Sequence, residues 1–591
     1  MEIGADLSGL AGLNVDGVVT GGSRSAASSS EAAMPRKRKV DVSMPSSSSK
    51  KVAIGEDLPD EIDQAEIDQM LEQADTLHIE GMNEGAVKRM VLQLERKIKM
   101  NQEQRIKFSD DPEKFLKSEL DLDEAIKKFK TLATHPQLYG EMLQLNVLPM
   151  LLGTMNHANT DIAVDIFEVL NELTDAEVMD EVDDPEGFIN ALFEAELPTM
   201  AVEVLLRLNE EASEEEAEAV SNFLSMIENL AEIAPSETAN RFARVPKFLP
   251  WLLKRVSIDK KMDSNKANAA ETLGVILYNS TSAVDAMGKK DPDGLDTLLR
   301  GISGYRKMDP ADSEEVEFME NMFDSLCLLM LVESHQVNFG KKQGLELMIR
   351  MMKQKNKAAL PALKLTNHAL RNCAANCQIF VDKLGLKVLF GMFMKKGAGQ
   401  KTKQAAKDSE EHLVSIIQSL CRYCTGTPVA RVLNKFTEFQ FEKLERLVEL
   451  HEEYALSVMR FDEQRQHGLL NSIDKELDLD EEEALYRDQC DAGLFTLQQV
   501  DITIVRLANM GNRQVAEELA TVLDSKGVEL REVFHFVLQY CKQVEDTAMK
   551  EAEELRKFLR SLASNSGQSA ALEDELKVFS KDTEKADAAA A

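Results

Sequence analysis

Six octets in this 591-residue chain carry apolar residues at their first, fourth, fifth and eighth positions: LPMLLGTM from Leu148, LPTMAVEV from Leu197, LPWLLKRV from Leu249, LDTLLRGI from Leu295, LELMIRMM from Leu345 and LKVLFGMF from Leu386. That spacing places the apolar side chains on one face of a helix. The octets begin 49, 52, 46, 50 and 41 residues apart, a slightly loose version of the period of about 40–47 residues seen in armadillo and HEAT repeats. Three carry proline second, at Pro149, Pro198 and Pro250, where the first turn of a helix loses nothing by a missing N–H and gains from a fixed φ. Each follows a longer stretch that is apolar on more than one side, such as AETLGVILY or MFDSLCLLMLV, as a layer sandwiched between neighbours must be. Gly385, directly before the last octet, is placed to take the positive φ of a tight helix connection. These features predict an all-α, armadillo/HEAT-like superhelical solenoid, whose units bury a core only against one another and so need closed ends.

Composition agrees: only 5% of residues are aromatic, with a single tryptophan, Trp251, which suits Leu/Met/Ala-rich helices better than strands. The repeats are expected over 133–455. Residues 84–132 read as an N-terminal helical cap and 456–563 as a C-terminal one, with a Lys/Gly-rich insertion at 395–408 and a flexible tail at 564–591. Residues 1–55, rich in Gly, Ser and Ala as in GGSRSAASSS, bury too little to offset chain entropy and read as a disordered tail. Inside that tail, Pro35, Arg36, Lys37, Arg38, Lys39 and Val40 form a short basic run after a proline, the pattern of a nuclear localisation signal open to an import receptor. The sign then reverses over the acidic, marginally helical segment 56–83, where Glu56, Asp57, Asp60 and Glu61 begin a run without cations up to Asp75. Folding of that segment over the basic run is an alternative expectation.

The formal charge of −34 opposes direct contact with nucleic-acid backbones and favours basic protein segments. Seven scattered cysteines and no secretory pattern point to reduced thiols. No apolar run of membrane-spanning length occurs. The residues also argue against an enzyme. Nine histidines stand singly, without metal-ligand spacing. Cys421 and Cys424 have redox-motif spacing but close a helical repeat instead of following a strand, and Cys373 and Cys377 read as packing residues. The acidic run from Asp474 to Glu483 lacks the glycine and ligand order of a calcium loop. Neither a phosphate-cradling loop nor a nucleophile elbow is present, so no catalytic residue, metal or cofactor is expected.

Longer stretches resemble the beta-catenin-like protein 1 family of nuclear armadillo-repeat proteins: NQEQRIKFSDDPEKFLKSELDLDE at 101–124, NTDIAVDIFEVLNELTD at 159–175, ENMFDSLC at 320–327, NCQIFVDKLGLKVLFGMFMK at 376–395, RVLNKFTEFQFEKLERLVELH at 431–451 and DAGLFTLQQV at 491–500. The resemblance implies a spliceosome-associated protein of the nucleus, working through the Prp-nineteen complex in pre-mRNA splicing. Its implied partners are the basic localisation segments of a cell-division-cycle-five-like splicing factor and of a second splicing factor and, in vertebrates, activation-induced cytidine deaminase. A homodimer is compatible with such a stack.

The same resemblance implies that the octet helices line a concave groove. Their outward positions then present Glu203, Asp296 and Glu346 as partner-binding carboxylates, but also Lys254, Arg255, Arg300 and Arg350, a face of mixed charge. Acid gathers instead in apparent loops at 180–184 and 214–216. The rival reading is an importin-like transport adaptor, although a single tryptophan rules out the Trp ladder by which those carriers hold basic peptides.

Overall fold

The computed structural model describes residues 82–288, 293–354, 356–394, 403–467 and 481–577, and among them every regular element is helical, with no strand. The basic run at 35–40, nearly all of the acidic segment 56–83 and the acidic run from Asp474 to Asp480 lie outside the described residues.

The chain divides into two units, one ending at Ile233 and the other continuing from Ala234. The first contains α1 (Glu84–Lys107), α2 (Leu116–Lys127), α3 (Tyr139–Gln144), α4 (Val147–Thr154), α5 (Thr160–Leu173), α6 (Ala176–Met179), α7 (Pro185–Glu194), α8 (Leu197–Leu205) and α9 (Glu214–Ile233). Helices α4 and α8 are the first two octets. The longer helices α1, α2, α5 and α9 pack side by side in that order.

The second unit opens with four three-helix repeats: α10 to α12 (Pro235–Arg244, Phe248–Arg255, Ser264–Asn279), α13 to α15 (Thr281–Ala286, Gly294–Ile302, Ser313–Leu329), α16 to α18 (Glu333–Lys341, Gly344–Met352, Ala359–Leu370) and α19 to α21 (Ala374–Asp382, Gly385–Phe393, Lys403–Tyr423). The middle helix of each is an octet. After them come α22 (Gly426–Thr437), α23 (Glu442–Gln466), α24 (Glu481–Asp491), α25 (Leu494–Asn509), α26 (Arg513–Lys526), α27 (Leu530–Gln543) and α28 (Glu545–Ser566). The third helices α12, α15, α18 and α21 stack into one continuous row that α25 and α28 extend.

The periodicity explains the packing. Of the apolar octet positions, all are buried except Met200 and Ile349, which are half-buried, and each fully buried Leu or Phe contributes roughly 1.5–3 kcal/mol. The long helices begin on polar caps: Asn159, Asp263 and Asp312 accept from the backbone N–H of Asp161, Lys266 and Glu315, and Ser213 does so for Glu216 in α9. In α12, the small residues Ala267, Ala270 and Gly274 share one side, and Gly274 lies against Ser325 of α15, which lets the two helices approach closely.

The connection before the octets differs from the sequence reading. Leu384, not Gly385, takes the left-handed conformation (φ 66°), as Asn146, Glu196 and Gln343 do before their own octets. Gly385 is instead the first helical residue, and a β-carbon there would stand 2.5 Å from the Phe380 ring; the same holds for Gly344 and Phe339 at 2.6 Å. The glycine is required by a phenylalanine five residues earlier, a repeated contact that the octet pattern alone does not reveal. Because Phe380 is fully buried, Gly385→Ala must displace a packed ring. We expect it to cost about 1–3 kcal/mol, measured as a lower urea midpoint for the unfolding of the second unit. A change within about 0.5 kcal/mol would contradict the contact.

Three further departures concern boundaries. Helix α21 begins at Lys403, inside the stretch read as an insertion. Helix α23 runs unbroken through residue 456. Beyond residue 563, α28 continues to Ser566 and residues 569–577 are helical again, anchored by buried Leu572 and by Glu575, whose carboxylate accepts from Arg531 Nε (2.7 Å) and His535 Nδ1 (3.0 Å).

Candidate partner-binding surface

The octet carboxylates chosen from sequence do not come together as a free binding set. Asp296 is held by Arg300 of the same helix (2.6 Å) and Glu346 by Lys383, just beyond the end of α19 (2.8 Å), while Glu203 stands exposed on α8 in the other unit. Arg255, read as outward, is buried and paired with Asp263. It faces inward because α12 caps on that aspartate immediately beside the end of α11. Two of the three octet carboxylates are therefore already paired, and the continuous helical row belongs to the long third helices.

On that row, a set of carboxylates converges from two adjacent helices. Glu317, Glu320 and Asp324 are spaced three and four apart along α15 and so share one side. Glu271 projects from α12 close enough to Glu317 to feel its charge. Glu271, Glu317 and Glu320 are exposed and make no ion pair among the described residues. Partial burial, then the neighbouring Glu317, raise the carboxyl pKa of Glu271; burial, Asp324 and Glu317 raise that of Glu320 against the pull of Lys357 and Lys364. Like charges crowded on a partly desolvated face disfavour their own ionisation, and an incoming cation relieves the repulsion.

Further along the row the chemistry changes. Lys364 of α18 donates to Asp324 (2.8 Å), and although burial works against its charge, Cys327, Asp324 and Glu320 hold its pKa up. Next along α18 is His368, with His412 of α21 facing it across the helix junction; burial and then each other's proximity or that of Lys364 lower these imidazoles to about 3 and about 4, so both are neutral at physiological pH. An acidic stretch thus passes through one paired lysine to two half-buried, neutral imidazoles.

The first unit holds a denser excess of acid. Between residues 161 and 233 there are 22 Asp and Glu and a single cation, Arg207. Arg207 does not neutralise any of them, since its guanidinium donates to the carbonyls of His157 (3.0 Å) and Met155 (2.9 Å). Lys127 and Lys130 reach in from outside the tract to Asp165 and Glu168. Sequence reading located part of this excess but missed the α12–α15 set. The acid spacing along α15 was a visible signal for it; that the set's fourth member sits on α12 was not.

The thiols are packing groups. Cys373, Cys377, Cys421 and Cys424 are all buried and unbridged, and burial pushes the Cys421 and Cys424 thiols up to about 12, far from a reactive thiolate. No cluster of three metal-ligating side chains occurs among the described residues, and no helix there is long and apolar enough to cross a membrane.

With this geometry established, comparisons with known proteins place the chain. Residues 65–539 match the family described as catenin-beta-like, Arm-motif containing nuclear. The chain is similar to beta-catenin-like protein 1 of Homo sapiens, with 36% identity over 480 residues, covering 80% of this chain and 84% of that protein. The Mus musculus protein of the same name matches equally, and the beta-catenin-like protein 1 homolog of Schizosaccharomyces pombe is 32% identical over 476 residues, covering 79% and 80%.

Proposed function

Since this chain belongs to the catenin-beta-like family of Arm-motif-containing nuclear proteins, we propose that it is a non-catalytic scaffold of the nucleus that acts in pre-mRNA splicing by holding Lys/Arg-rich segments of splicing factors. The observation that carries this reading is the carboxylate set Glu271, Glu317, Glu320 and Asp324, three of whose members lack an ion-pair partner among the described residues. A helical row exposes such a set to an extended peptide along its length, and charge complementarity sets encounter rate and specificity more than raw affinity. The partners that the sequence resemblance implies, factors of the Prp-nineteen complex with basic localisation segments, have the matching charge. The basic run at 35–40 supports entry into the nucleus through an import receptor.

The test is affinity purification of the full chain from nuclear extract, with partners identified and their release followed as salt is raised. We expect splicing factors that elute with increasing ionic strength, because exposed ion pairs are screened over about 8–10 Å at physiological salt. Recovery of cytoplasmic or adhesion proteins alone, or binding indifferent to salt, would overturn the reading.

A further inference from the structure

The acidic tract of the first unit contains a depression of about 330 Å³ between α6, α7 and the end of α9. Its walls are apolar, formed by Met179, Val182, Pro185 and Ile233, and two exposed carboxylates, Asp180 and Glu232, stand at its rim. Met179 and Val182 are buried, so the floor is fixed. Neither Asp180 nor Glu232 has an ion-pair partner among the described residues. An apolar floor with two carboxylates at its edge suits a long cationic side chain, whose methylene stem lies on the floor while its charge meets a carboxylate.

We propose that in the unliganded protein this depression is occupied by the chain's own basic run, Arg36, Lys37, Arg38 and Lys39. Three observations select this occupant. Charge complementarity is extreme, with four successive cations facing a tract that holds 22 carboxylates and one arginine already committed to backbone carbonyls. The run belongs to the chain that enters this same unit at α1, so no second molecule is needed. Residues 41–81 separate it from the described unit, a connection that can extend to about 140 Å, against about 36 Å for the 24 residues of α1, the unit's longest helix. Reach is therefore not limiting, and a tethered ligand is present at an effective concentration on the order of millimolar.

The consequence is regulatory. While the run lies in the depression it is withheld from an import receptor, and a partner that brings a second Lys/Arg-rich segment to this tract, besides the one held at the α12–α15 carboxylates, displaces it. Loading with a partner and exposure of the localisation signal are then reciprocally coupled. This consequence rests on the reading that the protein holds basic segments; occupancy by the tail does not.

The experiment uses the dilute full-length chain and a zero-length carbodiimide cross-linker, which joins a lysine amine to a carboxylate in contact with it, followed by peptide mass spectrometry. We expect links from Lys37 or Lys39 to Asp180 or Glu232, independent of protein concentration and lost when Asp180→Asn and Glu232→Gln are introduced. In parallel, a labelled peptide of residues 35–40 is titrated. It should bind the variant with Arg36, Lys37, Arg38 and Lys39 changed to alanine at least ~10-fold more tightly than the unaltered chain, and the gain should vanish when Asp180→Asn and Glu232→Gln are added. Links that run instead to the carboxylates of 56–75, no intramolecular link, or equal peptide affinity for the two chains would each overturn the proposal. Failure here with splicing factors still recovered from nuclear extract leaves the scaffold reading intact; links without such factors separate the two in the opposite sense.

Discussion

Reversing Glu271, Glu317 and Glu320 to lysine should weaken binding of a Lys/Arg-rich splicing-factor segment by about 100-fold. Each exposed carboxylate contributes on the order of 0.5 kcal/mol to a cation held near it, and a lysine in its place repels that cation by about as much, so three reversals remove about 3 kcal/mol, and every 1.4 kcal/mol is a factor of ten. The residual slope of affinity against salt should flatten with it. Fold and binding are separable at these positions. All three side chains are exposed and lack ion-pair partners among the described residues, and lysine sustains a helix about as well as glutamate. Stability should therefore stay within about 0.5 kcal/mol of the unaltered chain. Titration by fluorescence anisotropy, with urea unfolding as the control, provides the check; an unchanged affinity in a folded variant would remove this face as the binding site.

The second large effect lies in the C-terminal helices. His451 of α23 and Asp501 of α25 are almost completely buried and hydrogen-bonded at 2.6 Å, and Glu532 of α27 approaches the other imidazole nitrogen at 3.7 Å. Burial opposes the charge on His451, but Asp501 and then Glu532 raise its pKa overall. Three helices are thereby tied together through one imidazole, whose charged form the two carboxylates favour. Asp501→Ala leaves that group without its buried counter-charge, and we expect a loss of about 3–5 kcal/mol. The array need not unfold in one step, so the readout is hydrogen exchange of the α25 amides.

Changing both His451 and Asp501 to leucine should recover most of the loss, since replacing a whole buried pair costs less than breaking it. The sign of the pH dependence follows from the raised histidine. Its stabilisation is complete below the unfolded value of about 6.5 and is lost as pH rises through the folded one, so the deficit of Asp501→Ala should shrink in alkaline buffer. A deficit below about 1 kcal/mol near neutral pH would show that the clamp holds little.

How much of this was legible in the chain depends on the range of the interaction. The octets were legible because the face of a helix is set by residues three and four apart. The caps are equally local: Asn159, Asp263 and Asp312 each precede a long helix and accept from its first turn. At Gly385 the requirement is the ring of Phe380 and not a backbone angle, a contact that the glycine's place before the octet does not reveal. The pairing of two octet carboxylates was only half open to reading: Asp296 meets Arg300 four residues on, whereas Glu346 meets Lys383, just beyond the end of α19, at a separation that no local pattern encodes.

By itself, then, the sequence determined that this protein is a stack of helices with a large acidic excess, and through resemblance it indicated the family. Hydrophobic periodicity and net charge are local or additive quantities that survive the loss of three-dimensional information. Only the tertiary structure decided which helices form the continuous row, that the helices carrying Glu271 and Glu317 are neighbours, that Arg255 points inward, and that Asp180 and Glu232 line one depression. Long helices apolar on several sides can turn any of them toward a neighbour. The choice is made by packing against helices some 50 residues away, which leaves no periodic trace in the chain.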